Sequence, residues 1–96
     1  MTKHIVMWKI RKDDKPENAL KIKNGLEGLR GKIEGLLDIE VGINTNPSDM
    51  AFDVVLYSTF ISQSALDGYQ SNPLHLEVAG FVRSVAVERH VVDYEG

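Results

Sequence analysis

Cysteine is absent from this chain of 96 residues. That removes disulfides, thiolate metal sites and thiol nucleophiles, although it does not fix a compartment. Proline is scarce, with three residues; Pro16 and Pro73 suit helix starts and Pro47 falls in a loop. No run of apolar residues could span a membrane, and no N-terminal stretch has the apolar length of a signal peptide. A cytoplasmic protein without a membrane partner is the expectation. Charge of one sign is lacking too: the net value is -3, with both signs interspersed. No basic footprint for nucleic acid or anionic lipid results. Lys21 and Lys23 sit among acidic neighbours and read as a solvated helix face. Trp8, Phe52 and Tyr57 could imitate an RNA-binding sheet, but the motif of that module is missing and the charge is wrong. There is no Gly-rich phosphate loop and no nucleophile elbow.

What the chain does contain is ordinary globular composition, in a length that makes one domain over residues 1–96. HIVMWKI, residues 4–10, is β-branched and aromatic and reads as a strand. Alternation places His4, Val6, Trp8 and Ile10 on one face and Ile5, Met7 and Lys9 on the other. Asp14 and Glu17 have capping-box spacing around Pro16. Ala19, Ile22, Leu26, Leu29 and Ile33 follow at helical intervals, with Gly31 expected to end the helix. Leu37, Ile39, Val41 and Ile43 alternate with polar residues as a second strand. Residues 44–51 read as a loop, and Phe52 to Phe60 as a third strand. Ser62 is a candidate N-cap for a short helix to Tyr69. Asn72 and Pro73 start another helix, carrying Leu76, Ala79, Phe81 and Val82 inward. Val85 to Tyr94 forms the last strand. The order β-α-β-β-α-β predicts an α+β, ferredoxin-like subunit with a four-stranded antiparallel sheet.

Strands one, three and four are apolar on both faces, yet helices cover only one. A monomer would expose the other as an apolar patch. Two copies packed sheet to sheet about a two-fold axis would bury it, so a homodimer is expected.

The segment YQSNPLHLEVAGF, residues 69–81, carries the chemistry. An N-cap at Asn72 puts His75 in the first helical turn, where the helix dipole disfavours imidazolium. A neutral imidazole near the Tyr69 phenol suits acid–base work. Each ring also has a structural reading. His75 can cap its own helix or bond to a strand, and Tyr69 can be an amphipathic core residue. His4 can be a satisfied core histidine or a pocket imidazole. His90 reads as structural or surface. His4, His75 and His90 lack metal-ligand spacing, so neither metal nor cofactor is expected. Asp49, Asp53, Arg83, Glu88, Arg89 and Asp93 are expected in surface or interface ion pairs.

KHIVMWKI at the start, GLRGKIEGLLDIEVGIN at 28–44, DVVLYSTF at 53–60, ALDGYQSNPLHLEV at 65–78 and VVDYE at 91–95 resemble the stress-responsive A/B barrel domain, often called Dabb. The match runs nearly the full length, in order. The resemblance implies a homodimer whose two sheets form an α+β barrel. It also implies kinship with plant boiling-stable stress proteins and with plant polyketide cyclases that perform an aldol closure. The wider dimeric superfamily includes cofactor-free monooxygenases and haem-degrading enzymes. In the cyclases a first-strand histidine and a later helix histidine face a pocket beside a tyrosine. By resemblance these match His4, His75 and Tyr69. The residues lining the cyclase pocket have no assigned counterparts here, so ketide specificity is not carried over.

Three functions follow from the sequence. One is a homodimer binding a small organic molecule between sheet and helices. Another is a cofactor-free, aldol-type enzyme with His75 as base and His4 and Tyr69 orienting the substrate; it requires the three to converge on one cavity. The third is a purely structural stress-stability protein.

Overall fold

The computed structural model describes residues 1–96. Side-chain alternation organises the sheet, because only one parity of each inner strand meets the helices. The elements run β1 (Thr2–Ile10), α1 (Lys15–Glu27), β2 (Leu36–Ile43), β3 (Val54–Phe60), α2 (Gln63–Ser71), α3 (Pro73–Val85) and β4 (Ala86–Glu95). The four strands lie in the order β2-β3-β1-β4, with every neighbouring pair antiparallel. This is the ferredoxin-like βαββαβ arrangement expected from the sequence. Val6, Trp8 and Ile10 of β1, Val54, Leu56 and Phe60 of β3, and Ile39 and Val41 of β2 are buried beneath the helices. Ala19, Ile22 and Leu26 of α1, with Leu66 of α2 and Val82 and Val85 of α3, complete the core. Full burial of each large apolar side chain contributes roughly 1.5–3 kcal/mol.

Two local expectations at α1 differ from the structure. Asp14 is the N-cap but adopts a left-handed backbone (φ 54°), and its side chain caps nothing. The capping box with Glu17 therefore does not form. A short polar residue tolerates that conformation, and the Asn18 side-chain amide donates instead to the Asp13 carbonyl at 3.3 Å. The helix also ends at Glu27 rather than near Gly31. Turns carry the chain onward and still bury Leu29 and Ile33. Gly35 closes this connection at φ +81°, where an added Cβ would stand 2.5 Å from the Ala65 Cβ.

The break between α2 and α3 falls where Pro73 was expected to put it. The Ser62 hydroxyl accepts the Ala65 N–H at 3.1 Å and starts α2. The Asn72 side chain accepts the Leu74 N–H at 2.9 Å and starts α3. From there α3 packs on α1 and α2 rather than on the strands. It runs directly into β4, which pairs only with β1 and is exposed along nearly its whole length. Space is consequently left between α3 and the β1–β4 side of the sheet.

The opposite face of the sheet is uncovered. Met7, Val55, Val92 and Tyr94 lie exposed there, with Ile5 and Tyr57 half-buried between them. The apolar character is confined to β3, β1 and β4, because β2 presents Asp38, Glu40 and Gly42 on this side. No helix is long and apolar enough to cross a membrane.

Candidate functional site

The space beside α3 is a cavity of about 710 Å³. It brings together the three ring residues singled out in the sequence. His4 comes from the middle of β1, Tyr69 from the end of α2, and His75 from the first turn of α3. Their rings form one cluster: Tyr69 and His75 have centroids 4.1 Å apart, tilted by 37°. His4 and Tyr69 are 6.3 Å apart, edge to face. Phe60 backs both His4, at 6.5 Å, and Tyr69, at 5.1 Å. Val6, Trp8, Leu56 and Val82 supply apolar wall.

Two polar atoms of this cluster are buried without any hydrogen-bond partner: Oη of Tyr69 and Nδ1 of His75. Such atoms lose water without compensation, at a cost of about 1–3 kcal/mol each. Buried polar groups are normally satisfied, so a pair of exceptions on one cavity points to function. Burial alone pushes the Tyr69 phenol up to about 12. For His75, desolvation is the chief cause of a lowered pKa. The Gln70 backbone acts in the opposite direction, while His4, Arg83 and Arg89 lower it further. Near neutral pH the pair is therefore an un-ionised phenol and an un-ionised imidazole. One offers an O–H, the other a nitrogen lone pair.

His4 is held differently. Its Nδ1 lies 2.5 Å from Oδ1 of Asp93, its register partner on β4. The histidine side chain is buried while the carboxylate remains partly exposed. A carboxylate accepts, so the His4 Nδ1–H donates to it. The Ser58 hydroxyl donates to the His4 carbonyl at 2.9 Å and fixes the strand beneath it.

Three of the charged residues expected in surface or interface pairs stand at the site. Asp93 bonds His4, whereas Arg83 and Arg89 line the cavity and enter no ion pair. The antiparallel register of the first and last strands, which a ferredoxin-like topology makes neighbours, is the signal that sets Asp93 opposite His4. Asp53 does form a pair, with Lys15 at 3.1 Å, and its carboxylate also accepts the Ile10 N–H at 2.8 Å. His90 is exposed and 2.9 Å from Glu88 on the outer face of β4, remote in orientation from the cavity. No group of three His, Cys, Asp or Glu side chains is arranged to hold a metal ion.

The family model for the stress responsive A/B barrel domain matches residues 2–96. Among solved structures, the chain is similar to a dimeric protein of unknown function with a ferredoxin-like fold from Bacteroides fragilis. The two are 31% identical, with a TM-score of 0.91 over 99% of this chain and 95% of that one. It is also similar to a protein of Arabidopsis thaliana, at 22% identity and a TM-score of 0.86 over 100% of this chain and 95% of that one. An antibiotic biosynthesis monooxygenase shares the fold at 14% identity, with a TM-score of 0.81 and coverage of 100% and 98%. No curated protein matches the chain.

Proposed function

The chain belongs to the stress-responsive A/B barrel domain family, and from that premise we propose that it is a homodimer binding a small organic molecule in the cavity between β1, β4 and α3. The observation that carries this reading is the pair of unpartnered polar atoms, Tyr69 Oη and His75 Nδ1, at an otherwise largely apolar cavity. A ligand with one oxygen able to accept from the phenol and one donor for the imidazole would relieve both. His75 is only half-buried and lines the cavity, so its ring borders space a ligand can occupy. Dimerisation is supported by the uncovered face carrying Ile5, Met7, Val55, Val92 and Tyr94, which sheet-to-sheet packing would bury. The similar Bacteroides fragilis protein is dimeric. Ligand-observed NMR against a library of small oxygenated organic molecules tests the cavity, with Tyr69→Phe and His75→Phe as controls. Binding that both substitutions leave untouched would remove the site from this cavity. Light scattering on the purified chain tests the dimer, and a monomer at micromolar concentration would reject it.

A second reading, a cofactor-free enzyme of aldol type, is favoured by the neutral state of His75 beside a neutral phenol. His75 would take an α-proton from a carbonyl compound, and the Tyr69 hydroxyl would donate to the developing enolate oxygen. His4, oriented by Asp93, would position the second carbonyl by packing beside it. The new carbon–carbon bond then forms between the enolate carbon and that carbonyl carbon as its C=O π bond opens, and the resulting alkoxide takes the proton back from the His75 imidazolium. Turnover of poly-β-keto substrates by the wild type against His75→Ala is the test; equal rates would reject His75 as base.

A further inference from the structure

Two unpaired arginines stand at the mouth of the cavity. Arg83, in the last turn of α3, and Arg89, on β4 opposite Trp8, both line it. Neither guanidinium makes an ion pair or a side-chain hydrogen bond, although the chain as a whole carries a net charge of -3. The nearest acids are committed elsewhere. Glu88 also borders the cavity, but its carboxylate lies 2.9 Å from His90, on the outer-face parity of β4 alongside Lys9 and Met7. The Asp93 carboxylate is bonded to His4. A basic residue at a helix C-terminus complements the helix dipole, which accounts for Arg83 in part. That reason does not extend to Arg89, which projects from a strand. Two free guanidinia at one opening, above a wall of Val6, Trp8, Leu56 and Val82, match a molecule with an anionic head and an apolar body.

We propose that the ligand of this cavity is an amphipathic organic acid, its carboxylate held by Arg83 and Arg89 and its apolar part lying against Trp8, Leu56 and Val82. This rests on the cavity reading above and adds the chemical class. Guanidinium forks bind carboxylates in a bidentate manner, and charge-assisted bonds are roughly twice as strong as neutral ones. The body of such a ligand would reach toward Tyr69 and His75, so a carbonyl or hydroxyl partway along it would meet their unpaired atoms.

The test uses three probes of one chain length on the intact protein: octanoate, octan-1-ol and octylammonium, measured by isothermal titration calorimetry or ligand-observed NMR. Octanoate is expected to bind at least about tenfold more tightly than octanol, a difference of about 1.4 kcal/mol, and octylammonium least. The preference for octanoate over octanol should shrink as ionic strength rises. In the double variant Arg83→Met, Arg89→Met it should disappear while octanol binding persists. Both arginines are exposed, so the variant retains the core, and unchanged octanol affinity doubles as its folding control. Equal binding of octanoate and octanol by the wild type would overturn the acid and leave the cavity reading standing. A preference that survives the double substitution would also overturn it. Binding of none of the three would overturn both.

Discussion

Replacing Tyr69 by Phe removes one oxygen atom from the centre of the site. Tyr69 is fully buried, 0% exposed, and its hydroxyl has no partner. Most buried tyrosines donate a hydrogen bond, and deleting such a bond costs about 0.5–1.5 kcal/mol. Here no bond is lost. The desolvation penalty of an orphaned hydroxyl, about 1–3 kcal/mol, is removed instead. The ring keeps its contacts with Phe60, His4 and His75 at 5.1, 6.3 and 4.1 Å, so no cavity term of the large-to-small kind opposes the gain. Tyr69→Phe should therefore stabilise the ligand-free protein by about 1 kcal/mol or more. For a domain of this size each kcal/mol moves the melting temperature by roughly 4–8 °C. Urea and thermal denaturation at one fixed protein concentration measure it, since association would otherwise shift the midpoint. The same variant should bind ligand more weakly, because the hydroxyl is what a ligand would satisfy. A lower melting temperature for Tyr69→Phe would refute the reasoning, since it would mean that the hydroxyl is already bonded in the folded protein.

Alkaline titration followed by tyrosinate absorbance should separate Tyr69 from Tyr57. Tyr69, held up to about 12 by burial, titrates last, and Tyr57, lowered mainly by its bond with Lys3, titrates early; a single step near 10 would contradict the burial. A folded pKa raised above the unfolded value of 10.0 means that the associated stability is intact below pH 10 and lost as pH rises toward 12. His75 has the opposite sign. Its folded pKa lies below 6.5, so the unfolded chain takes up the proton first and stability falls as pH drops below 6.5. The groups around its ring are Tyr69, His4, Arg83, Arg89 and the Gln70 backbone; His75→Phe should flatten that part of the pH profile, and an unchanged slope would place the titration elsewhere. Asp93→Asn should cost less than about 1 kcal/mol, because its carboxylate is partly exposed. In Asp93→Ala, which removes the acceptor altogether, nitrogen NMR of the His4 ring should show a changed tautomer population, and an unaltered spectrum would deny Asp93 its positioning role.

Local patterns were legible because their causes are local. Alternation in HIVMWKI and helical spacing from Ala19 to Leu26 depend on neighbours a few residues away, and both appear in the structure where expected. Asn72 and Pro73 likewise start α3 and bring His75 into its first turn. The capping box at Asp14 failed because a left-handed backbone competes with the cap. Gly31 did not end α1, since the chain already turns after Glu27 while still burying Leu29 and Ile33.

From the sequence by itself came the order of elements, the two-faced strands that call for a second subunit, and the three rings of the candidate site. Only the tertiary structure decided what those rings face. His4 and Asp93 stand 89 residues apart in the chain, and it is strand register that joins them. Arg83 and Arg89 looked like ordinary surface charge until α3, packed on α1 and α2, left a cavity beside β4 for them to border. Whether a hydroxyl is paired, or a guanidinium free, depends on which groups the whole fold brings within a few ångströms. No periodicity along the chain encodes that distance.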